Sequence, residues 1–246
     1  MVTSPVHALQ RIVVAHLRGP ARASYVQQMF DRIAPRYDLM NRLMTGGRDA
    51  AWRRMVVREA DLPPGGRLLD LATGTGDIAL EALRADGNLC AIGADFAIEM
   101  MRRGRDKPGA EHIRWAGADG LALPFPEGTF DAVTSGFMLR NVIDVKRALA
   151  EQLRVVKPGG RMVCLEISRP PRNWFTPFYR FYFHRIVPLA GQLVSGNRSA
   201  YTYLPESADE FLAPDGLADL MRRVGWRDVR YRRLMLGTVA IHTGDK

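Results

Sequence analysis

The sequence predicts an α/β fold: a doubly wound, seven-stranded, mostly parallel sheet with an antiparallel last strand. Three observations predict it. From residue 68 onward, apolar strand-like runs alternate with helix-like stretches at the spacing of parallel βαβ units. The run Leu68-Leu69-Asp70-Leu71-Ala72-Thr73-Gly74-Thr75-Gly76-Asp77 reads as a buried strand that turns through two glycines into a helix near residue 78. Asp70, Asp95 and Asp119 then fall at the ends of the first three strands, which such a sheet brings together along one edge. With 246 residues, 47% hydrophobic and 25% charged, the chain can bury a full core, and one domain covering residues 1–246 is expected.

The elements follow in order. Residues 1–24 are expected to be a leader, in which Ile12, Val13, Val14 and Leu17 among His7, Arg11, His16, Arg18 and Arg22 suggest a short basic amphipathic helix ended by Gly19-Pro20. Residues 25–64 read as a helical cap, with Ile33, Tyr37, Met40 and Met44 at helical spacing and Pro63-Pro64-Gly65-Gly66 as its stop. Residues 65–168 are the ligand-binding core, with further strands at 89–94, 112–116, 133–137 and 161–167 and a helix that Asp144 caps. Residues 169–205 break the rhythm. There Trp174, Phe175, Phe178, Tyr179, Phe181, Tyr182 and Phe183 crowd among Arg172, Arg180, His184 and Arg185, as a lid over an apolar groove would. Residues 206–246 give a helix at 214–224 and an antiparallel closing pair at 226–232 and 235–242.

The net charge of +9 comes mostly from arginine, since lysine stands only at positions 107, 146, 157 and 246. Such a balance suits nucleic acid, an anionic membrane surface or an acidic substrate, and equally an ordinary arginine-rich solvated surface. No recognised RNA motif accompanies it, so nucleic acid is not an expected partner. Cys90 and Cys164 sit in apolar runs and read as buried, unpaired thiols of a reducing compartment, and no zinc spacing exists. No apolar run approaches the roughly 20 residues of a membrane span, and a signal-peptide core is absent, so a cytoplasmic protein is expected.

The glycine turn admits two ligand classes. Gly74-Thr75-Gly76-Asp77-Ile78-Ala79 satisfies the dinucleotide pattern, with Asp95 about twenty residues on as a ribose-binding acid. S-adenosylmethionine (SAM) sites share the layout and place an acid at the end of the first strand, as Asp70 stands here. That acid opposes an anionic pyrophosphate and suits a cationic ammonium or sulfonium, which favours SAM. Asp95 then suits ribose hydroxyls and Asp119 an adenine amino group.

The Gly-Thr-Gly turn, the run Ala122-Leu123-Pro124-Phe125-Pro126-Glu127-Gly128-Thr129-Phe130-Asp131 and Lys157-Pro158-Gly159-Gly160 resemble the class I SAM-dependent methyltransferases, a Rossmann-like fold. Tyr37-Asp38-Leu39-Met40-Asn41 with Trp52, Leu139-Arg140-Asn141-Val142, Glu166-Ile167-Ser168, Tyr201-Thr202-Tyr203-Leu204-Pro205-Glu206-Ser207 and Gly237-Thr238-Val239-Ala240-Ile241-His242 resemble the ubiquinone/menaquinone biosynthesis C-methyltransferases more specifically, over roughly residues 25–243. The resemblance implies methylation of a ring carbon of a polyprenylated quinol, demethylmenaquinol or a ubiquinol precursor. By position it puts SAM contacts on Thr75, Asp95, Asp119 and Gly120, and Asp70, Gly74, Gly76, Phe96 and Gly136 complete the expected cofactor set. Arg140, Asn141 and Tyr37 are the expected catalytic residues, Arg140 as the cation that stabilises a quinol oxyanion. Tyr37, Met40, Met138, Arg140, Phe178, Tyr182, His184 and Tyr201 are the expected substrate contacts, and no metal is expected. The expected partners are the quinol, the inner face of a membrane touched peripherally, and a second copy of the chain. Three departures stand out: Gly136 where the family shows serine, Asp49 where it shows histidine, and Met138 where it shows glycine.

Overall fold

The computed structural model describes residues 19–169, 174 and 176–246, and the backbone alone of Arg198. Strands β1 (Arg67–Leu71), β2 (Cys90–Asp95), β3 (Arg114–Gly117), β4 (Phe130–Gly136), β5 (Val156–Ile167), β6 (Arg227–Leu234) and β7 (Val239–Asp245) form one sheet in the order β3-β2-β1-β4-β5-β7-β6. Strands β1 to β5 are parallel, and β7 runs antiparallel to both β5 and β6, so the expected pattern holds. The chain steps outward from β1 to β3 and then crosses back to β4. That reversal parts the loops beyond the carboxyl ends of β1 and β4, where open α/β sheets hold their ligands.

Alternation along the strands feeds two core layers. Leu69, Val133, Met162 and Cys164 pack against α6 (Val145–Val155) and α10 (Pro214–Val224) through Leu149, Leu217 and Met221. Leu68, Ala132, Val163 and Leu165 pack on the other face against α3 (Asp49–Ala60) and α4 (Asp77–Ala85) through Trp52, Val56 and Ile78. Helix α5 (Ile98–Arg105) follows β2. Asp144 caps α6 as expected, its carboxylate accepting from the Arg147 amide at 2.9 Å.

Above the sheet lies a third apolar cluster. Helices α1 (Gly19–Ile33) and α2 (Tyr37–Thr45) contribute Val26, Met29, Ile33 and Met40. The segment 176–210 contributes Phe183, Val187, Ala200, Tyr201 and Tyr203 through α7 (Thr176–Phe181), a π-helical turn (Tyr182–Ile186), α8 (Val187–Ser195) and α9 (Arg198–Glu210). The lid and the cap are therefore packed into one layer.

Several boundaries differ from expectation. Gly19 takes left-handed backbone, with φ of 55°, and Pro20 sits in the first turn of α1, where its fixed φ and missing N–H are tolerated. Residues 19–24, expected in the leader, are helical in α1, while the rest of the leader and its expected helix, with Arg172 and Phe175, lie outside the described residues. The third strand starts at Arg114 because residues 110–112 form a 3-10 turn, and β5 starts at Val156 through a bulge that keeps Val156 paired with Phe130. The last strand begins at Val239, since residues 235–237 form a 3-10 turn. Both cysteines are free, Cys164 buried but Cys90 only half-buried where β2 begins. Among the described residues no helix is long and apolar enough to cross a membrane, and no cluster of metal-binding side chains occurs.

Candidate active site

Strand β1 delivers the glycine turn to the switch point. Gly74 and Gly76 both take left-handed backbone, with φ of 57° and 80°, and a Cβ on Gly76 would stand 2.6 Å from the Trp115 ring. Asp70 lies fully buried beneath this turn. Its carboxylate accepts from the Thr73 hydroxyl at 2.6 Å and the Thr134 hydroxyl at 3.0 Å, and burial pushes its pKa up to about 6. Asp95 stands at the end of β2. One oxygen accepts from the Gly74 amide at 2.7 Å and the other from the Ala97 amide at 2.8 Å, while burial raises its pKa to about 6. Asp95, Phe96, Asp119, Gly120 and Met138 line a cavity of about 210 Å³ over these strand ends.

A second cavity of about 180 Å³ lies between the sheet and the cap layer. Its apolar wall includes Ile33, Trp52, Tyr179, Phe183, Tyr201 and Tyr203. Its polar groups include Asn41, Asp49, Arg53, Thr75, Asp77, Arg140 and Asn141, and Phe30, Tyr37, Ala72, Gly74, Gly136, Phe137 and Asn141 face both cavities. Phe137, just past β4, adopts φ of 58°, a conformation rare for an aromatic residue. Its carbonyl accepts from Arg140 Nη1 at 2.8 Å and from Asn141 Nδ2 at 2.9 Å. Arg140 is buried and also meets Glu166 at 3.2 Å. Buried side-chain atoms without a hydrogen-bond partner on this wall include Arg140 Nε, Asn141 Oδ1 and the Tyr201 and Tyr203 hydroxyl oxygens. A spare donor and a spare acceptor on one wall match what a hydroxyl group accepts and donates.

A family model described as the ubiE/COQ5 methyltransferase family matches residues 19–246. The chain belongs to this family. It is 47% identical over 229 residues to the ubiquinone/menaquinone biosynthesis C-methyltransferase UbiE of Desulfotalea psychrophila, covering 93% of this chain and 92% of that protein. It is 49% identical over 220 residues to the demethylmenaquinone methyltransferase of Thermus thermophilus, covering 89% of this chain and all of that protein. Among solved structures, a SAM-dependent methyltransferase of Thermotoga maritima shares the fold with a TM-score of 0.64 at 19% identity, over 89% of this chain and 98% of that one.

As a ubiE/COQ5 methyltransferase, the protein takes SAM as its cofactor. The residues present fit that group: a buried carboxylate at the end of β2 that lines the cavity, a glycine turn open to close approach, and a second acid beyond β3. Asp95, Phe96, Asp119, Gly120, Gly74 and Gly136 all line the cofactor-side cavity. Asp70 does not. It braces the turn from below, because its position in the strand points it at Thr73 and Thr134, not into open space. Gly76 lines neither cavity and serves the turn against Trp115. Thr75 faces the other cavity, its hydroxyl engaged with Asp38 at 2.8 Å and Lys107 at 2.8 Å.

Of the expected substrate contacts, Tyr37, Arg140, Tyr182 and Tyr201 line the apolar cavity. Burial raises the Tyr37 phenol and pushes Tyr201 up to about 12, so both are neutral near pH 7. Tyr182 donates to the Met44 carbonyl at 3.0 Å and ties lid to cap. Four other residues of the expected set lie off this cavity. Met40 is fully buried in the cap's own core, because α2 turns that face toward Val26 and Ile33. Met138 lines the cofactor-side cavity with Gly120. Phe178 is 67% exposed and His184 pairs with Asp209 at 3.2 Å, both on helical faces turned away from the cavity. Glu166 was not among the expected site residues, although it carries the same signal as Asp70, a single carboxylate inside an apolar strand.

Proposed function

We propose that this protein methylates a ring carbon of a polyprenylated quinol, with demethylmenaquinol as the first candidate and a ubiquinol precursor or another lipid acceptor as the alternative. The observation that carries this reading is the aromatic-lined cavity that shares Gly136, Phe137 and Asn141 with the cofactor side and holds its orphan donor and acceptor there. The names of the two relatives support the same substrate class.

Bound in the cofactor-side cavity, SAM supplies a methyl group on a sulfonium. The chain's own work is to hold a flat, apolar ring against that seam and to manage one hydroxyl proton. Asn141 Oδ1 accepts the hydrogen bond of the quinol hydroxyl, and Arg140 donates to its oxygen and stabilises the charge that forms as the hydroxyl proton passes to bulk water; once the ring carbon has taken the methyl group, its hydrogen moves to the oxygen and restores the aromatic quinol. The neutral phenol of Tyr37, facing both cavities, orients the ring edge. Trp52, Tyr179 and Phe183 exclude water and accommodate the start of the prenyl tail.

The outer face of the lid points to where that tail comes from. Trp174, Phe178, Phe181 and Leu193 are 79%, 67%, 64% and 77% exposed, next to exposed Arg180 and Arg185. An apolar face rimmed by arginine suits an anionic bilayer surface, which we assign as its partner.

The test uses purified protein with SAM and short-chain naphthoquinol and benzoquinol acceptors. The expected result is a product heavier by one methyl group, faster with the demethylated naphthoquinol. Binding of SAM without turnover of any quinol overturns the substrate assignment. Co-sedimentation with anionic vesicles, reduced by Phe178→Asp/Phe181→Asp, is expected for the surface. Dimer formation through that face without vesicle binding replaces the membrane with a second copy.

A further inference from the structure

Glu166 lies in β5 between Leu165 and Ile167, which both line the apolar cavity, whereas Glu166 does not reach it. Its side chain is almost wholly buried, a position costly for a carboxylate unless partners are supplied. Two are supplied. One oxygen accepts from the Leu139 amide at 2.5 Å and the other meets Arg140 Nη1 at 3.2 Å. Burial nonetheless raises its pKa, against the pull of Arg140. Well-packed apolar residues serve stability at such a place as well as an ion pair does, so the pair's presence calls for another reason.

The partners give that reason. Arg140 Nη1 is divided between the Phe137 carbonyl and Glu166, and the guanidinium lies 5.4 Å from the Phe137 ring centroid. These three contacts fix the fork and leave Nε unpartnered on a cavity-lining side chain. The bond to the Leu139 amide fixes the backbone two residues after left-handed Phe137, which sets where Asn141 begins. Paired with Glu166, Arg140 also presents no net charge to an apolar ring. The wall therefore accepts a neutral quinol and answers with a directed N–H when the oxygen loses its proton.

We infer that Glu166 is a positioning residue for the methyl transfer: it holds the Arg140 guanidinium at the cavity wall and fixes the turn that carries Asn141. This rests on the reading of Arg140 given above, and the test separates the two. Turnover of the accepting quinol, SAM affinity by calorimetry and quinol KM are measured for Glu166→Gln, Glu166→Asp, Arg140→Met and the Arg140→Met/Glu166→Gln double variant.

Glu166→Gln is expected to lower kcat about 30-fold, the scale of one charge-assisted hydrogen bond, with SAM affinity and quinol KM within about threefold of the parent. In the Arg140→Met background the same change is expected to cost less than about threefold, because its effect runs through a side chain already gone. Effects that multiply instead mark Glu166 as structural and overturn the inference, as does a Glu166→Gln protein with parental kcat. If the glutamine variant does not fold, Glu166→Asp decides: reduced kcat at unchanged SAM affinity supports the inference, and parental kcat overturns it. Parental kcat in Arg140→Met, with SAM still bound, overturns the reading of Arg140 itself.

Discussion

The two walls of the site solve opposite problems. On the cofactor side, every buried acid is already satisfied by the chain: Asp70 by two threonine hydroxyls, Asp95 by the Gly74 and Ala97 amides. On the acceptor side, Arg140 Nε and Asn141 Oδ1 are buried with nothing to bond. Buried acids with partners of their own hold the cofactor wall in one shape, whereas the unpartnered groups of the other wall are those we assign to the reacting quinol. The largest effect is therefore expected on the second wall. Arg140→Met is expected to reduce kcat by about 10²- to 10³-fold, the range for loss of an oxyanion-stabilising donor, with little change in SAM affinity. A matching loss of SAM affinity in calorimetry breaks the division of labour.

Asp95→Asn sharpens it from the other side. This change is expected to weaken SAM binding about 10- to 100-fold, as losing charged hydrogen bonds to a ligand does, while kcat at saturating SAM stays near the parental value. The acid form of Asp95 is reached by pH as well. Its pKa of about 6 is raised from an ordinary 3.8 by burial, so below pH 6 the free protein carries it protonated and SAM affinity falls. Stability moves the opposite way. The folded state holds this proton more tightly than the unfolded chain, so this carboxyl's contribution to stability increases as pH drops from 7 toward 5. Denaturation at pH 7.5 and 5.5 with Asp95→Asn as control isolates that contribution. Asp70, raised to about 6 as well, adds the same sign and remains in the control.

The same contrast explains what was legible in the sequence. The heart of the cofactor wall, β1, its glycine turn and β2, comes from one continuous stretch in which spacing places Asp95 near Gly74, although residues 118–121 and 136–143 and the cap complete the cavity. Even there the period-2 pattern misjudged Asp70, since an acid at a strand end signals burial and partners but not whether a partner is ligand or protein. The acceptor wall gathers Tyr37 from α2, Trp52 from α3, Arg140 after β4, Leu165 from β5, Tyr179 from α7 and Tyr201 from α9. Of these, Tyr37, Arg140 and Tyr201 are in the set expected from sequence and Trp52, Leu165 and Tyr179 are not, while Met40, Phe178 and His184 lie off this cavity, because which face of each cap helix turns inward depends on packing between helices distant in sequence. Residues 34–53 meet the glycine turn through an ion network that no local pattern announces.

That network is where the two walls are joined. Lys107 Nζ contacts Asp77 at 2.6 Å, Asp38 at 2.7 Å and the Thr75 hydroxyl at 2.8 Å, and Arg53 bridges Asp77 and Asp49 at 2.9 Å each. These half-buried groups clamp α2 and α3 onto the cofactor turn. Removing the lysine leaves Asp38 and Asp77 facing each other without a shared cation. Lys107→Met is expected to weaken SAM binding about fivefold and to speed proteolysis within residues 34–48, a scale above that of an exposed pair because the groups form a network. Unchanged cleavage together with unchanged affinity means that the cap is held by its apolar cluster alone.

The smallest effect concerns Gly136, which faces both cavities and stands where the family shows serine. A Cβ built there meets Ile78 Cδ1 at 3.2 Å, tight but against the far end of a flexible side chain, and the backbone at this position is not left-handed. Gly136→Ser therefore fits after a shift of a few tenths of an ångström at Ile78, with a stability cost below about 1 kcal/mol. Its hydroxyl then sits at the seam, where it adds one neutral hydrogen bond. SAM affinity is expected to rise about threefold, measured by calorimetry, with kcat unchanged. A fall in affinity instead places the cofactor too close to this strand end for any side chain, and makes the glycine a steric requirement of this protein's site and no longer a tolerated departure from its family.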